Sequence, residues 1–416
     1  MGRTPRKPPS TAPSQEPTRL SPAEPPPAQA RLPFADDTGV SPHPERFEVT
    51  LDVTRVDSDA QKVVRRLTRH GFQAYLVGGC VRDLLLDRRP KDFDVATSAR
   101  PEDVRELFRN SRIIGRRFRL VHVLFGGGKV VEVATFRRSP QTDADPLDPS
   151  GHGGADVDLL IRTDNAFGEA HEDAVRRDFT INGLFYDLDH GEILDWVGGR
   201  RDVERRVVRT IGDPETRFRE DPVRILRAIK FAARLDLGID PDVYDAMVAT
   251  RATLARAARP RLFEEILRLM RGAGAHRSVW LAWETGILAV LLPELASFLD
   301  DDVASDRVFR LLGELDRRTR ARGAPLDDLV LCALLLLEPM KEACEGEADR
   351  VTAAVQFLDP IIERLAMPRR MADALRRIVA VLPRLSAGRP GRFARTELFG
   401  LASEIVEIER AASALG

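Results

Sequence analysis

The stretch Gly78-Gly79-Cys80-Val81-Arg82-Asp83, with Asp92-Phe93-Asp94 beginning nine residues after its last member, decides how this chain is read. Gln73 to Val77 before it is a short apolar run, the pattern of a strand that ends on the paired glycines. A helix carrying Val81, Leu84 and Leu85 is expected at once. Two glycines at a strand-to-helix turn let backbone N–H groups approach a ligand closely, and the helix N-terminus adds a positive dipole. Gly78 and Gly79 are therefore a candidate phosphate cradle that Arg82 could reinforce; a plain tight turn would use the same glycines.

Asp92 and Asp94 flank one apolar residue in a strand pattern, so both carboxylates are expected on one face, roughly 6–7 Å apart at Cα. That spacing suits two Mg²⁺ ions about 3.5–4 Å apart, the arrangement for in-line phosphoryl or nucleotidyl transfer. Solvated acids on an exposed strand are the plain alternative. Glu132, inside the apolar run Val130-Val131-Glu132-Val133-Ala134, is a third candidate ligand, because an unpartnered buried acid is costly.

Outward from this centre the elements alternate. Asp57-Ser58-Asp59 offers an N-cap for a helix through about His70, and Pro101 to Phe108 reads as a helix with Pro in its first turn. Arg119 to Phe125 and Val130 to Arg137 are β-rich runs joined by Gly126-Gly127-Gly128-Lys129, a hairpin signature. Phe185 to Leu188 and Glu192 to Trp196 flank Asp189-His190-Gly191, a second hairpin. After Glu215 nearly everything reads as helix, in segments that include Asp221–Leu235, Pro260–Arg271, Val279–Leu292, Val303–Arg317, Leu326–Leu337 and Met371–Val381. The expected fold class is α+β: a small head with a mixed or antiparallel sheet, then an all-α remainder. The boundaries read 1–45 for a disordered Pro-rich leader holding twelve of the 28 prolines, 46–190 for the head, 191–272 for a neck and 273–416 for a helical body and tail.

Composition excludes several classes. Lys+Arg is 64 and Asp+Glu 65, a formal net charge of −1, so the chain is neither a polycation nor an acidic disordered chain. The charge is sorted, however. Residues 101–140 carry nine basic against four acidic side chains, 141–173 one against nine, and 197–234 eleven against six. No apolar run is long enough to cross a bilayer, and the first residues lack the apolar core of a signal peptide. Three scattered cysteines suit a reducing cytoplasm and form no metal framework. Three Trp and three Tyr are too few for base stacking to be the main way of holding RNA.

Six ordered motifs make a family resemblance specific. The Gly-Gly-Cys-Val-Arg-Asp and Asp-Phe-Asp spacing resembles the class II nucleotidyltransferases, the bacterial poly(A) polymerases and CCA-adding enzymes. Arg176-Arg177-Asp178-Phe179-Thr180-Ile181-Asn182 resembles the family's second motif, which contacts the incoming nucleotide. Asp195-Trp196-Val197-Gly198-Gly199 with Asp202, Glu220-Asp221-Pro222-Val223-Arg224, and Arg259-Pro260-Arg261-Leu262-Phe263-Glu264-Glu265 resemble its strand-turn, base-reading and neck-stabilising motifs. The resemblance implies catalysis with two Mg²⁺ on Asp92, Asp94 and Glu132, and ATP as substrate. It places Gly78, Gly79, Arg82, Asp83, Arg177, Asp178, Asn182, Asp221, Arg224 and Arg227 at the nucleotide. On a helix, Asp221 and Arg224 would face one way and offer an acceptor and a forked donor to a base edge; an intrahelical ion pair is the ordinary reading of such a pair.

Ile113-Ile114-Gly115-Arg116-Arg117-Phe118-Arg119-Leu120-Val121-His122-Val123 resembles a stretch typical of the poly(A) branch and places Arg116, Arg117 and Arg119 on RNA. The implied activity is template-independent addition of AMP to RNA 3′ ends, which promotes RNA turnover. CCA addition to tRNA is the alternative, and a catalytically silent RNA-binding protein a third reading. Implied partners are RNA 3′ ends, with RNA-decay or RNA-chaperone proteins possible, and the expected setting is a cytoplasmic monomer off the membrane. Two departures qualify this. No His is followed by Asp, so no metal-dependent phosphohydrolase motif is present, and the basic C-terminal tail of known relatives is replaced by an amphipathic segment, Glu397 to Leu415, with Glu404, Glu407 and Glu409. RNA binding is therefore expected to be modest and strongly salt-dependent.

Overall fold

The structure is a computed structural model that describes residues 42–49, 51, 53–115, 119–138 and 166–414. The leader (apart from its last few residues), residues 141–165 of the acidic stretch, and Arg116 and Arg117 lie outside the described residues.

Eight strands form one sheet: β1 (Glu45–Glu48), β2 (Ala74–Val77), β3 (Asp94–Thr97), β4 (Ser111–Ile114), β5 (Leu120–Leu124), β6 (Val130–Thr135), β7 (Leu184–Asp187) and β8 (Glu192–Asp195). Their order across the sheet is β1-β8-β7-β2-β3-β6-β5-β4, and only β3 and β6 run parallel. A parallel pair needs a long crossover. Here it contains α3 (Pro101–Leu107) and the β4–β5 pair. The sheet reaches Asp195, beyond the expected head boundary at residue 190, because β8 pairs with both β1 and β7.

Local signals act as the residues dictate. Asp57 caps α1 (Ser58–Arg69), its carboxylate accepting from the N–H of Asp59 at 2.9 Å and of Ala60 at 3.1 Å. Lys129, at the end of the glycine turn between β5 and β6, donates to that same Asp57 and to Asp59, so the hairpin is pinned to the start of α1. Strand alternation sends Val95, Val121, Val131 and Val133 into the larger core. Val77, Ala96, Phe136, Phe185 and Leu194 build a smaller core, which also takes Ala170 and Ala174 of α4 (Ala170–Val175).

The remainder is helical. α2 (Gly79–Leu85) leaves β2, and α5 (Gly199–Arg205), α6 (Pro214–Glu220), α7 (Val223–Leu235), α8 (Pro241–Thr250) and α9 (Arg259–Arg271) follow the sheet. Then come α10 (Ala275–Glu284), α11 (Ile287–Leu291), α12 (Pro293–Leu299), α13 (Asp302–Arg322), α14 (Asp328–Ala343), α15 (Arg350–Arg364), α16 (Arg369–Ser386) and α17 (Phe399–Ser413). A short parallel pair, Val207–Val208 with Gly238–Ile239, lies beside them. The helix expected over Val279–Leu292 is split, because Gly286 takes a left-handed conformation between α10 and α11. α15, in the region that reads as nearly all helix but outside the segments named there, supplies Leu358 and Ile361 to the core. Among the described residues no helix is long and apolar enough to cross a membrane.

Candidate active site

Sheet register builds the site. Reading across neighbouring strands, Phe185 pairs with Val77, Val77 with Asp94, Asp94 with Glu132, and Glu132 with His122. Residues in register share a face, so Asp94 and Glu132 are side-by-side neighbours, and Gly78 follows Val77 directly, just past the end of β2. His122 Nε2 lies 3.3 Å from Glu132 Oε1. Asp92 is placed differently from the expectation. β3 begins only at Asp94, so Asp92 sits in the segment leading into the strand.

The row is electrostatically strained. The Asp94 carboxyl is pushed up to about 6, first by desolvation among neighbouring protein atoms and then by the charges of Glu132 and Asp92; Arg177 opposes the shift. Its side chain still reaches solvent, so the acid stays open to an incoming group. An all-oxygen donor set with unneutralised negative charge suits a hard divalent cation. Among the described residues, however, no three His, Cys, Asp or Glu side chains converge into a ready-made metal cage. The acids therefore fit a cation as an open, part-assembled donor set.

Gly78 has φ +72°, a region that side chains rarely adopt, and a Cβ there would meet Arg177 Nη1 at 2.9 Å. Arg177 thus lies against the glycine turn. Its guanidinium donates to Asp173 Oδ2 at 2.9 Å, and to the Asn182 carbonyl at 3.3 Å, and lies 5.2 Å from the Phe185 ring centroid. Asp173 is buried and also takes Arg176 Nε at 2.9 Å, so one acid aims both arginines. Sequence reading passed over Asp173, though its spacing of three and four from Arg176 and Arg177 on the end of α4 was a usable signal.

Arg82 is more deeply committed than a free phosphate contact. It is buried, donates to Asp83 Oδ1 through Nε and Nη2 at 2.9 and 2.6 Å, and to Asn182 Oδ1 at 2.6 Å. Asn182 in turn donates to Asp178 Oδ1 at 3.0 Å. Asp178 Oδ2 accepts from Arg227 Nε at 2.6 Å, and the Asp178 carboxyl is held down at about 2: its hydrogen bonds and the Arg227 charge outweigh desolvation. This chain of bonds runs from α2 through the 178–182 loop to α7. The expected nucleotide residues Gly78, Gly79, Arg82, Asp83, Arg177, Asp178, Asn182 and Arg227 are thereby brought together.

Asp221 and Arg224 do not share a helix as expected. Asp221 ends α6 with φ −147° and ψ 90°, and α7 starts at Val223. The reason is Pro222, which disfavours helical backbone at the residue before it. Asp221 Oδ2 accepts from Arg261 at 2.6 Å, while Arg224 Nη1 donates to Glu220 Oε2 and the Arg217 carbonyl at 2.8 and 2.9 Å. Arg217 clamps α6 to the second motif. Its Nη2 donates to the Arg176 and Arg177 carbonyls at 2.9 and 2.6 Å, and burial lowers its pKa. Asp195 accepts from the N–H groups of Val197, Gly199 and Arg200, which fixes the turn into α5. Arg119 pairs with Glu102, and its carbonyl accepts from Arg137 at 3.0 Å.

Comparison with known proteins identifies this arrangement. A family model described as Poly A polymerase head domain matches residues 74–209, and one described as Probable RNA and SrmB-binding site of polymerase A matches 236–299. Poly(A) polymerase I of Salmonella typhimurium is 38% identical over 343 residues, 80% of this chain and 73% of the relative. The chain belongs to the poly(A) polymerase and CCA-adding enzyme family. It is therefore a nucleotidyltransferase. The CCA-adding enzyme of Geobacillus stearothermophilus is 39% identical over 238 residues, 57% of this chain and 55% of the relative. A crystal structure of the Bacillus stearothermophilus CCA-adding enzyme in complex with CTP superposes with a TM-score of 0.63 at 30% identity, covering 86% of this chain and 78% of that one.

Proposed function

We propose that this chain is a template-independent polynucleotide adenylyltransferase that extends RNA 3′ ends with AMP drawn from ATP. The observation that carries this reading is the reach of the similarity, 343 residues for Poly(A) polymerase I of Salmonella typhimurium against 238 for the CCA-adding enzyme of Geobacillus stearothermophilus. Residues 46–190, with the rest of the sheet to Asp195, form the catalytic head in this reading. Residues 191–272 form a neck that reads the base, and 273–416 a body that helps hold RNA.

Asp94 and Glu132, with Asp92 ahead of the strand, would hold two Mg²⁺. Those ions, when bound, supply the chemistry of two-metal nucleotidyl transfer: a lowered pKa for the RNA 3′-OH and stabilisation of the α-phosphate and leaving pyrophosphate. The remaining work falls to the chain. Backbone at Gly78 and Gly79, with Arg177 against it, receives the triphosphate. Arg82, Asp83, Asp178, Asn182 and Arg227 keep the two sides of the nucleotide site in one arrangement. Asp221, just past the end of α6, and Arg224, in the first turn of α7, present an acceptor and a donor to the adenine edge. Arg116, Arg117 and Arg119 contact RNA.

CCA addition is the second reading, favoured by the superposition on the CTP-bound CCA-adding enzyme. One experiment separates them: Mg²⁺ and each single NTP, offered with a generic RNA and with a tRNA lacking its 3′ end. Long A tracts on both primers are expected. Addition of CTP and then ATP, confined to the tRNA, would overturn the adenylyltransferase reading.

A further inference from the structure

Three cations converge on one buried ring. Arg82 Cζ lies 5.1 Å from the centroid of Phe231, Arg227 Cζ 5.6 Å and Lys230 Nζ 5.0 Å. Phe179 meets the same ring edge-on at 5.6 Å and 80°. Phe231 is 7% exposed, so these contacts form largely out of water, where the attraction of a cation for an aromatic face is strongest.

Each cation is also tied to a polar partner on its own side: Arg82 to Asp83 and Asn182, Arg227 to Asp178, and Lys230 to Glu265 at 3.2 Å. The partners set one side of each head group and the ring sets the other. Arg82 belongs to α2 beside the sheet, whereas Arg227 and Phe231 itself belong to α7. The ring is therefore a joint between the two sides of the nucleotide site. Crowding three cations has an electrostatic cost. Lys230 shows it: burial first, and then the Arg227 charge, lower its pKa to about 8. A further carboxylate could hold the arginines equally well, but would cancel charge that a polyphosphate needs; an aromatic face attracts them and adds no negative charge.

We infer that Phe231 is a positioning residue for the incoming nucleoside triphosphate, holding Arg82 and Arg227 in one fixed relation through its ring face. The inference rests on the nucleotide reading proposed above.

Replacing Phe231 in the full chain by mono-, di- and trifluorinated phenylalanine drains the ring face of negative potential while nearly keeping its shape. The KM for ATP should climb at each step, reaching roughly three- to tenfold for the trifluorinated ring. The KM for the RNA primer should stay level, while the Tm should fall slightly, because the same contacts help hold the fold. Phe231→Leu, which has no ring face, should raise the KM for ATP at least as much. A flat KM for ATP across the fluorinated series, whatever the Tm does, would overturn the inference, since a purely packing role predicts that result. If the unmodified chain transfers no nucleotide to any primer, the proposed function fails instead. The equilibrium Kd for ATP, measured without RNA, then reads the ring by the same graded criterion.

Discussion

Asp221 is bonded to Arg261, forty residues away, and not to Arg224, its near neighbour in sequence. The pair joins the end of α6 to the first turn of α9 and fixes the direction of the one acceptor assigned to the base edge. Arg261→Ala should let that carboxylate swing. The ATP-over-CTP preference, read as a ratio of kcat/KM values, should fall roughly three- to tenfold. Stability should fall by less than about 1 kcal/mol, because the Arg261 side chain is 58% exposed. An unchanged preference would mean that Arg261 has no part in base selection.

Asp94→Ala removes one of two carboxylates that register sets side by side. Nucleotide addition should drop by at least about 10³-fold, near 4 kcal/mol of transition-state stabilisation, while RNA binding persists. The same protein should melt no lower than the parent, since the substitution relieves repulsion with Glu132 and Asp92. Retained activity would sink the metal assignment.

Asp178 ties stability to pH. Its folded pKa, about 2, lies below the ordinary value of 3.8, so folding favours the ionised acid. That contribution is full above the ordinary value and is lost as pH falls toward the folded one. The gap between the wild-type and Asp178→Asn urea midpoints should correspond to roughly 2 kcal/mol at pH 7 and shrink steadily below about pH 4. A gap that persists unchanged into acid would remove the ion pair with Arg227 as its cause.

The two glycines of the turn should respond differently. Gly78→Ala forces a Cβ into a positive-φ position and against Arg177 at 2.9 Å, whereas a Cβ on Gly79 meets only Arg82 Nη2 at 3.6 Å. The first change should cost about 1–3 kcal/mol and raise the KM for ATP. The second should be nearly neutral in stability. Equal melting temperatures for the two variants would contradict the strain assigned to Gly78.

Much of the architecture was legible because its causes are local. Asp57 caps the helix it precedes, the three glycines before Lys129 close the hairpin they interrupt, and Gly78-Gly79 turn the chain from strand to helix. The errors are local effects too, ones that were passed over. Pro222 separates Asp221 from Arg224, and Gly286 divides one expected helix into two. The start of β3 at Asp94 is different in kind: β2 ends opposite that residue, and although β6 runs on through Val131 and Val130, Phe93 and Asp92 do not pair with it.

The sequence by itself determined the residue types of the site, the turns and caps around them, and the family to which the chain belongs. The turns and caps follow from spacing, backbone preference and periodicity within a few residues, whereas the family rests on the resemblance of six motifs spread from Gly78 to Glu265. Only the tertiary structure decided which groups meet. Asp94 faces Glu132 because of a parallel register set by a long crossover. Arg82 finds Asn182 a hundred residues away, and Arg227 finds Asp178 across forty-nine. Phe231 gathers cations from two helices that no periodic pattern connects. An arginine can satisfy its donors with any acid or carbonyl that the chain brings within about 3 Å, so its partner is set by the path of the backbone and not by its neighbours in sequence.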